Sequence, residues 1–179
     1  ATGLPAVAVQ HHHAHALACL ADNGLDPPAL ALTWDGSGWG PDGTVWGGEA
    51  LRVTPDGGYE RVARLRPFPL PGGEAAVREP RRSALGLLFA LEGPVLLERD
   101  DDPLWGLFSP REREVLGRML QRDVNCPRTS SVGRLFDGLA ALCGLYPVAG
   151  FEGQAAMALE GALDPAAGPA EPYPLPLRQ

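Results

Sequence analysis

Apolar and polar positions change period several times along the chain, and each change marks an element. From Val9 to Gly24 the apolar residues Ala14, Ala16, Leu17, Ala18, Leu20 and Ala21 recur at helical spacing, and Asn23-Gly24 is a C-cap pair. The pattern predicts a helix over residues 9–24, entered through a short strand, Ala6-Val7-Ala8-Val9. Pro27-Pro28 breaks the chain. Ala29 to Trp34 then reads as a buried strand, residues 35–43 as a turn-rich loop, and residues 44–53 as a second strand. Within that strand Gly47-Gly48 marks a bulge or a close backbone approach. Pro55-Asp56-Gly57-Gly58 is a turn, and the alternation from Tyr59 to Leu65 is a third strand. Together these make a β-meander over residues 29–66.

Residues 74–163 read as a helical region. A helix opens in Arg78-Glu79-Pro80-Arg81-Arg82 and runs through Leu85, Leu88 and Leu91. The acidic stretch Glu98 to Asp102 is a solvated loop. Ser109-Pro110-Arg111-Glu112 combines an N-cap serine, a first-turn proline and an acid at the third position, so it starts a second helix reaching about Gln121. Thr129-Ser130-Ser131 starts a third, closed by Gly144. Glu152-Gly153-Gln154 opens a last helix through Glu160, and the proline-rich tail from Asp164 leads towards another strand.

Composition narrows the function classes. The net charge is −7 and every basic residue is arginine. That balance argues against non-specific nucleic-acid binding. An odd set of three cysteines at wide spacing makes neither a disulfide framework nor a zinc knuckle. Cys19 and Cys143 fall in apolar helical patterns and read as inert core residues, whereas Cys126, before Pro127, reads as a loop residue. With no signal peptide and no long apolar run, a soluble cytoplasmic protein is expected.

Three stretches offer chemistry. All four histidines lie in His11-His12-His13-Ala14-His15. His11 and His15, four apart, share one helix face and can bind one metal ion, while His12 and His13 point elsewhere. The alternative is a surface histidine cluster. Asp35, at the end of the first meander strand, adds a carboxylate, and the mixed N/O set suits Zn or Fe(II) without separating them. The loop Asp35-Gly36-Ser37-Gly38 can bring backbone N–H groups to a phosphate, or be an ordinary hairpin loop. Ser130, Ser131 and the helix start behind them favour an anion, or are a plain N-cap with Asp137 as a solvated helix residue.

The stretches VQHHHAH, WGPDGTVWGGE, RLRPFPLPGGEAAVREPRRSAL, TSSVGRLFDGLAALCGL and FEGQAAMALE, in that order, resemble the HypF carbamoyltransferases of [NiFe]-hydrogenase maturation. The region is similar to the transferase domain of TsaD and to the antibiotic carbamoyltransferase TobZ. The resemblance implies an α/β, actin/Hsp70-like nucleotide-binding fold, of which residues 1–179 would be an incomplete part. It also implies carbamoyl transfer from carbamoyl-adenylate, made from ATP and carbamoyl phosphate, to the C-terminal cysteine thiol of HypE. By motif, His11, His15 and Asp35 match divalent-metal ligands. Trp34, Asp35, Gly36, Ser37 and Gly38 match the lining of the nucleotide or acyl-adenylate. Asp137 matches a ribose-contacting aspartate, and Gly150 a later nucleotide-contacting glycine. No nucleic acid and no membrane is expected as partner. The acylphosphatase-like, zinc-finger and YrdC-like parts, the first lobe and a late aspartate ligand are not expected within these residues. A small-molecule O-carbamoyltransferase and a non-catalytic scaffold of the same fold are the alternatives. The residues offer no convincing thiol-activating base.

Overall fold

The computed structural model describes residues 7–164, together with 166 and 168. The histidine run forms α1 (His11–Asp22). Gln10 caps it, its side chain accepting the His13 N–H at 2.8 Å, and Gly24, at φ 62°, leaves it. Residues 7–10 are not a strand: Val7 is 84% exposed, and nothing pairs with this stretch among the described residues. The strand expected in the tail lies outside the described residues.

The strands that follow are β1 (Ala29–Leu32), β2 (Gly38–Trp39), β3 (Val45–Trp46), β4 (Glu49–Val53), β5 (Tyr59–Arg64), β6 (Phe68–Pro69) and β7 (Arg128–Thr129). β1, β4 and β5 form the expected antiparallel meander, in that order across the sheet, but β1 is an edge strand and not the buried strand expected, with Leu30 and Leu32 exposed. The remaining short strands form a second sheet, ordered β2-β3-β7-β6.

The segment expected as one strand over residues 44–53 therefore divides between the two sheets at Gly47-Gly48. The cause is packing. A Cβ on Gly47 would run into the carbonyl of Asp35, and one on Gly48 into that of Ser130. The two glycine N–H groups donate to the Glu49 carboxylate, at 2.7 and 2.8 Å. The reading of close approach holds, and the approach is to two distant segments at once.

The helical half comprises α2 (Glu74–Arg78), α3 (Pro80–Glu92), 3₁₀ turns at Gly93–Glu98 and Pro103–Leu107, α4 (Pro110–Arg122), α5 (Val132–Leu142) and α6 (Gln154–Gly161). α4 starts with the capping box that Ser109 and Glu112 predict. Its core gathers Leu85, Leu96, Leu104, Trp105, Leu116 and Leu120. α3 lies at the centre: Gly86 lets it approach the Pro69 carbonyl, and Gly138 lets α5 approach Ala84 and Leu87. The cysteine assignment is reversed. Cys126 is buried in this core, while Cys19 and Cys143 are exposed, because α1 beds only one face and Cys143 sits past the buried part of α5. The architecture is mixed α/β, and among the described residues no helix is long and apolar enough to cross a membrane.

Candidate metal centre

Asp35 stands where four segments meet. Its N–H donates to Gly47 O at 2.8 Å, and its carbonyl accepts from Gly133 N–H at 3.1 Å and from the Ser131 hydroxyl at 2.8 Å. Ser131 also donates to Gly36 O at 2.7 Å while it caps α5. The start of α5 is thus sewn to the Asp35-Gly36 backbone. Gly133 permits the closeness: a Cβ there would lie 2.7 Å from Gly36 Cα. The same bonds correct the reading of this helix start as an anion site. The N–H groups of Val132, Gly133 and Arg134 are taken by Gly47 O, Asp35 O and Ser131 Oγ.

Behind this junction lies a buried carboxylate that sequence reasoning missed. Glu49, 3% exposed, accepts from Gly47 N–H, Gly48 N–H, the Thr33 hydroxyl and the Ser130 hydroxyl. It holds β1, the glycine pair and the α5 entry together. The only sequence signal was an acid directly after two glycines inside an apolar strand.

The stretch WGPDGTVWGGE builds the floor under α1. Asp42 accepts from Trp46 Nε1 at 2.9 Å, from Thr44 and from Arg61. Burial would raise its carboxyl, but these bonds hold it well below the usual carboxylate range. Arg61 in turn lies 4.2 Å from the Trp46 ring centroid. His12 lies parallel to the Trp46 ring, and His13 packs on Tyr59 and bonds to Gly57 O at 3.0 Å.

On that floor the side chains of His11, His12 and Asp35 converge, offering three ligand atoms within 4.8 Å of one another. Nε2 of His11 is 3.1 Å, and Nε2 of His12 3.0 Å, from the same oxygen, Oδ2 of Asp35. His15 is not in this trio; its ring meets that of His11 edge-on, centroids 4.6 Å apart. The expectation that His12 points away from the site is corrected. Asp35 sits beside two neighbouring faces of α1, so residues about 100° apart around the helix both reach it. Burial would raise the Asp35 carboxyl. The Gly36 N–H at 2.6 Å, the His12 hydrogen bond and the His12 and His11 side chains together hold it below its ordinary value. An ionised carboxylate beside imidazole nitrogens is a donor set that fits a first-row divalent ion.

The remaining expected residues spread outwards from this point. Trp34 is 74% exposed and faces Phe136 of α5, ring centroids 6.1 Å apart. The Gly36 N–H is occupied by Asp35 Oδ1. Ser37 and Gly38 line a shallow hollow with His11 and Trp39. Asp137 is not a solvated residue: it is 4% exposed, with Arg134 Nε 2.9 Å from its Oδ2 in an ion pair that lacks hydrogen-bond alignment. Burial pushes its carboxyl up to about 6, with the Arg134 charge opposing and Glu152 adding to the rise. The far end of Arg134 and the Glu152 carboxylate both approach Gly36, so Arg134 stands between Asp137 and the loop. The Gly150 N–H is bonded to Gln154 Oε1 at 2.6 Å.

Residues 31–179 match the family described as "Carbamoyltransferase, Kae1-like Domain, second subdomain". The chain is 49% identical over 162 residues to carbamoyltransferase HypF2 of Cupriavidus necator, covering 89% of this chain and 19% of that protein. It is 42% identical over 175 residues to carbamoyltransferase HypF of Synechocystis, covering 90% and 23%. Among solved structures it is similar to full-length HypF in the phosphate- and nucleotide-bound form, with a TM-score of 0.78 and 38% identity, over 89% of this chain and 24% of that one. The chain thus spans only about a fifth to a quarter of the length of these relatives.

Proposed function

The chain belongs to the carbamoyltransferase Kae1-like domain family, second subdomain, and from that premise we propose that it forms one wall of a carbamoyl-transfer site. The reaction passes the carbamoyl group of carbamoyl-adenylate, made from ATP and carbamoyl phosphate, to the C-terminal cysteine thiolate of a HypE partner. The C–S bond forms, the carbonyl-to-phosphate C–O bond breaks, and AMP leaves with the electron pair. Residues 1–179 then form part of an actin/Hsp70-like transferase domain, a reading that the β1-β4-β5 meander with packed helices supports.

The observation that carries the proposal is the convergence of the His11 and His12 imidazoles on Asp35, in a loop pinned to the start of α5, with His15 beside His11 on the outer face. His11, His15 and Asp35 would hold the divalent ion, Fe or Zn. When bound, that ion supplies Lewis-acid chemistry for a carbonyl or phosphoryl oxygen. Asp35 keeps its negative charge through the bonds it accepts and orients towards His11. Trp34 to Gly38 form the rim that meets the adenylate, and Trp34 supplies an exposed ring for stacking. Arg134 holds Asp137 behind that rim for the ribose side, and Gly150 lies on the segment that leads into Glu152.

The test is replacement of His11 and His15 by alanine in the intact enzyme, with metal content and carbamoylation of a HypE C-terminal peptide as readouts. Loss of both supports the proposal; full metal and full transfer overturn the site. Carbamoylation of a hydroxylated metabolite, with none of the peptide, would assign the TobZ-like reaction instead. Absence of nucleotide binding by the intact enzyme would mark a scaffold.

A further inference from the structure

We propose that His12 is a positioning residue rather than a ligand: a fixed hydrogen-bond donor, set by Gln10, that aims the Asp35 carboxylate at the ion held by its neighbours. The inference rests on the reading that His11, His15 and Asp35 form the metal site.

The direction of the relay follows from its first bond. Gln10 caps α1 through Oε1, which accepts the His13 N–H at 2.8 Å. A backbone N–H can only donate, so the cap fixes which end of the amide is oxygen. The other end, Nε2, then lies 3.2 Å from His12 Nδ1. An amide nitrogen only donates, so Nδ1 accepts and the ring proton sits on Nε2. That N–H points at Asp35 Oδ2, 3.0 Å away. Gly36 N–H holds the other oxygen, Oδ1, at 2.6 Å. Both oxygens of Asp35 are therefore gripped by donors that belong to the protein.

The surroundings keep the ring where it is. His12 is 2% exposed and parallel to Trp46, with an interplanar angle of 3°. Gly38 closes on the ring as well: a Cβ there would lie 2.6 Å from His12 Cε1. His11 and His15 have the opposite character. Both are exposed, and their rings touch on the solvent side of α1, where an ion can reach them. The helix thus divides its imidazoles by depth, with the outer pair for the ion and the inner ring for the carboxylate. Outer partners of this kind are worth about 10–100-fold in metal affinity.

The experiment titrates Zn²⁺ into the metal-free protein by calorimetry. His12→Phe keeps a ring against Trp46 and deletes the donor; His12→Gln restores an N–H near the position of Nε2. Expected is a loss of about 10–100-fold for His12→Phe, with most of it regained in His12→Gln. His11→Ala and His15→Ala should remove binding. Long-range ¹⁵N–¹H spectra of the histidine-labelled protein should show His12 protonated on Nε2. A proton on Nδ1 in the unaltered protein overturns the inference, as does a His12→Gln loss equal to that of His11→Ala. Unchanged affinity in His12→Phe, with binding lost in His11→Ala and His15→Ala, overturns it while leaving the metal site intact. Full affinity in those two alanine variants overturns both.

Discussion

At the scale of single residues, two buried carboxylates of opposite character govern the region behind the site. Glu49 is saturated with donors, so its removal strands Gly47 N–H, Gly48 N–H and the Ser130 hydroxyl in the interior. Each stranded donor costs about 1–3 kcal/mol. Glu49→Ala should therefore destabilise the protein by about 3 kcal/mol or more in urea denaturation; a loss under about 1 kcal/mol would contradict the role given to it. Asp137 has the opposite problem, since burial disfavours its charge and pushes its carboxyl up to about 6. The folded protein thus holds a proton that the unfolded chain releases near the ordinary aspartate value of 3.8. Stability from this group is full below that value and is lost as pH rises towards about 6, by about 3 kcal/mol in all. Asp137→Asn should remove that fall, and denaturation of both proteins from acid to neutral pH measures the difference. Neither carboxylate was legible as buried. Asp137 lies beside Phe136 and Leu135, but only the packing of α3 on α5 shows which side of the helix is covered.

At the scale of elements, what the sequence marks with local chemistry is where it says it is. The capping box at Ser109, the N-cap at Ser131 and the stop at Asn23-Gly24 depend on residues within one turn. Ser131 does more than cap, because its hydroxyl also donates to the carbonyls of Asp35 and Gly36. Ser109→Ala and Ser131→Ala each remove a cap worth about 1 kcal/mol. Ser131→Ala should cost more than Ser109→Ala and should also weaken Zn²⁺ binding, which Ser109→Ala leaves unchanged; equal effects in the two variants would refute the second function. The division at Gly47-Gly48 was not legible, because the carbonyls that forbid a side chain there come from Asp35 and Ser130, remote in sequence. For the same reason the helical period placed His11 and His15 on one face but could not show that Asp35 meets the adjacent face, where His12 lies.

At the scale of the whole molecule, the two halves are held very differently. The helical half owns a continuous apolar core around Leu85, Leu96 and Leu116. α1 buries only His12, His13 and Ala16, and one side of it borders an open groove of about 750 Å³ lined by Leu20, Leu25, Leu30 and Leu32. Its attachment is largely polar and runs through the histidines themselves. Amide hydrogen exchange should therefore find α1 much less protected than α3 and α5, and Zn²⁺ should raise protection in α1 selectively. Equal protection in all three helices without metal would contradict this division. Composition and periodicity could announce a mixed α/β protein, but not which helix owes its place to polar contacts.

Trp34 gives the molecule an optical consequence. It is one peptide bond from Asp35, and its ring is open to water, as is that of Trp39 at the far end of the same loop, whereas Trp46 and Trp105 are buried. Its emission belongs to the red edge of the spectrum and is within reach of a dissolved quencher such as iodide. Anything that settles on the Asp35 loop should shade these two open rings and leave the buried pair unchanged, so arrival at the site can be timed by the protein's own light.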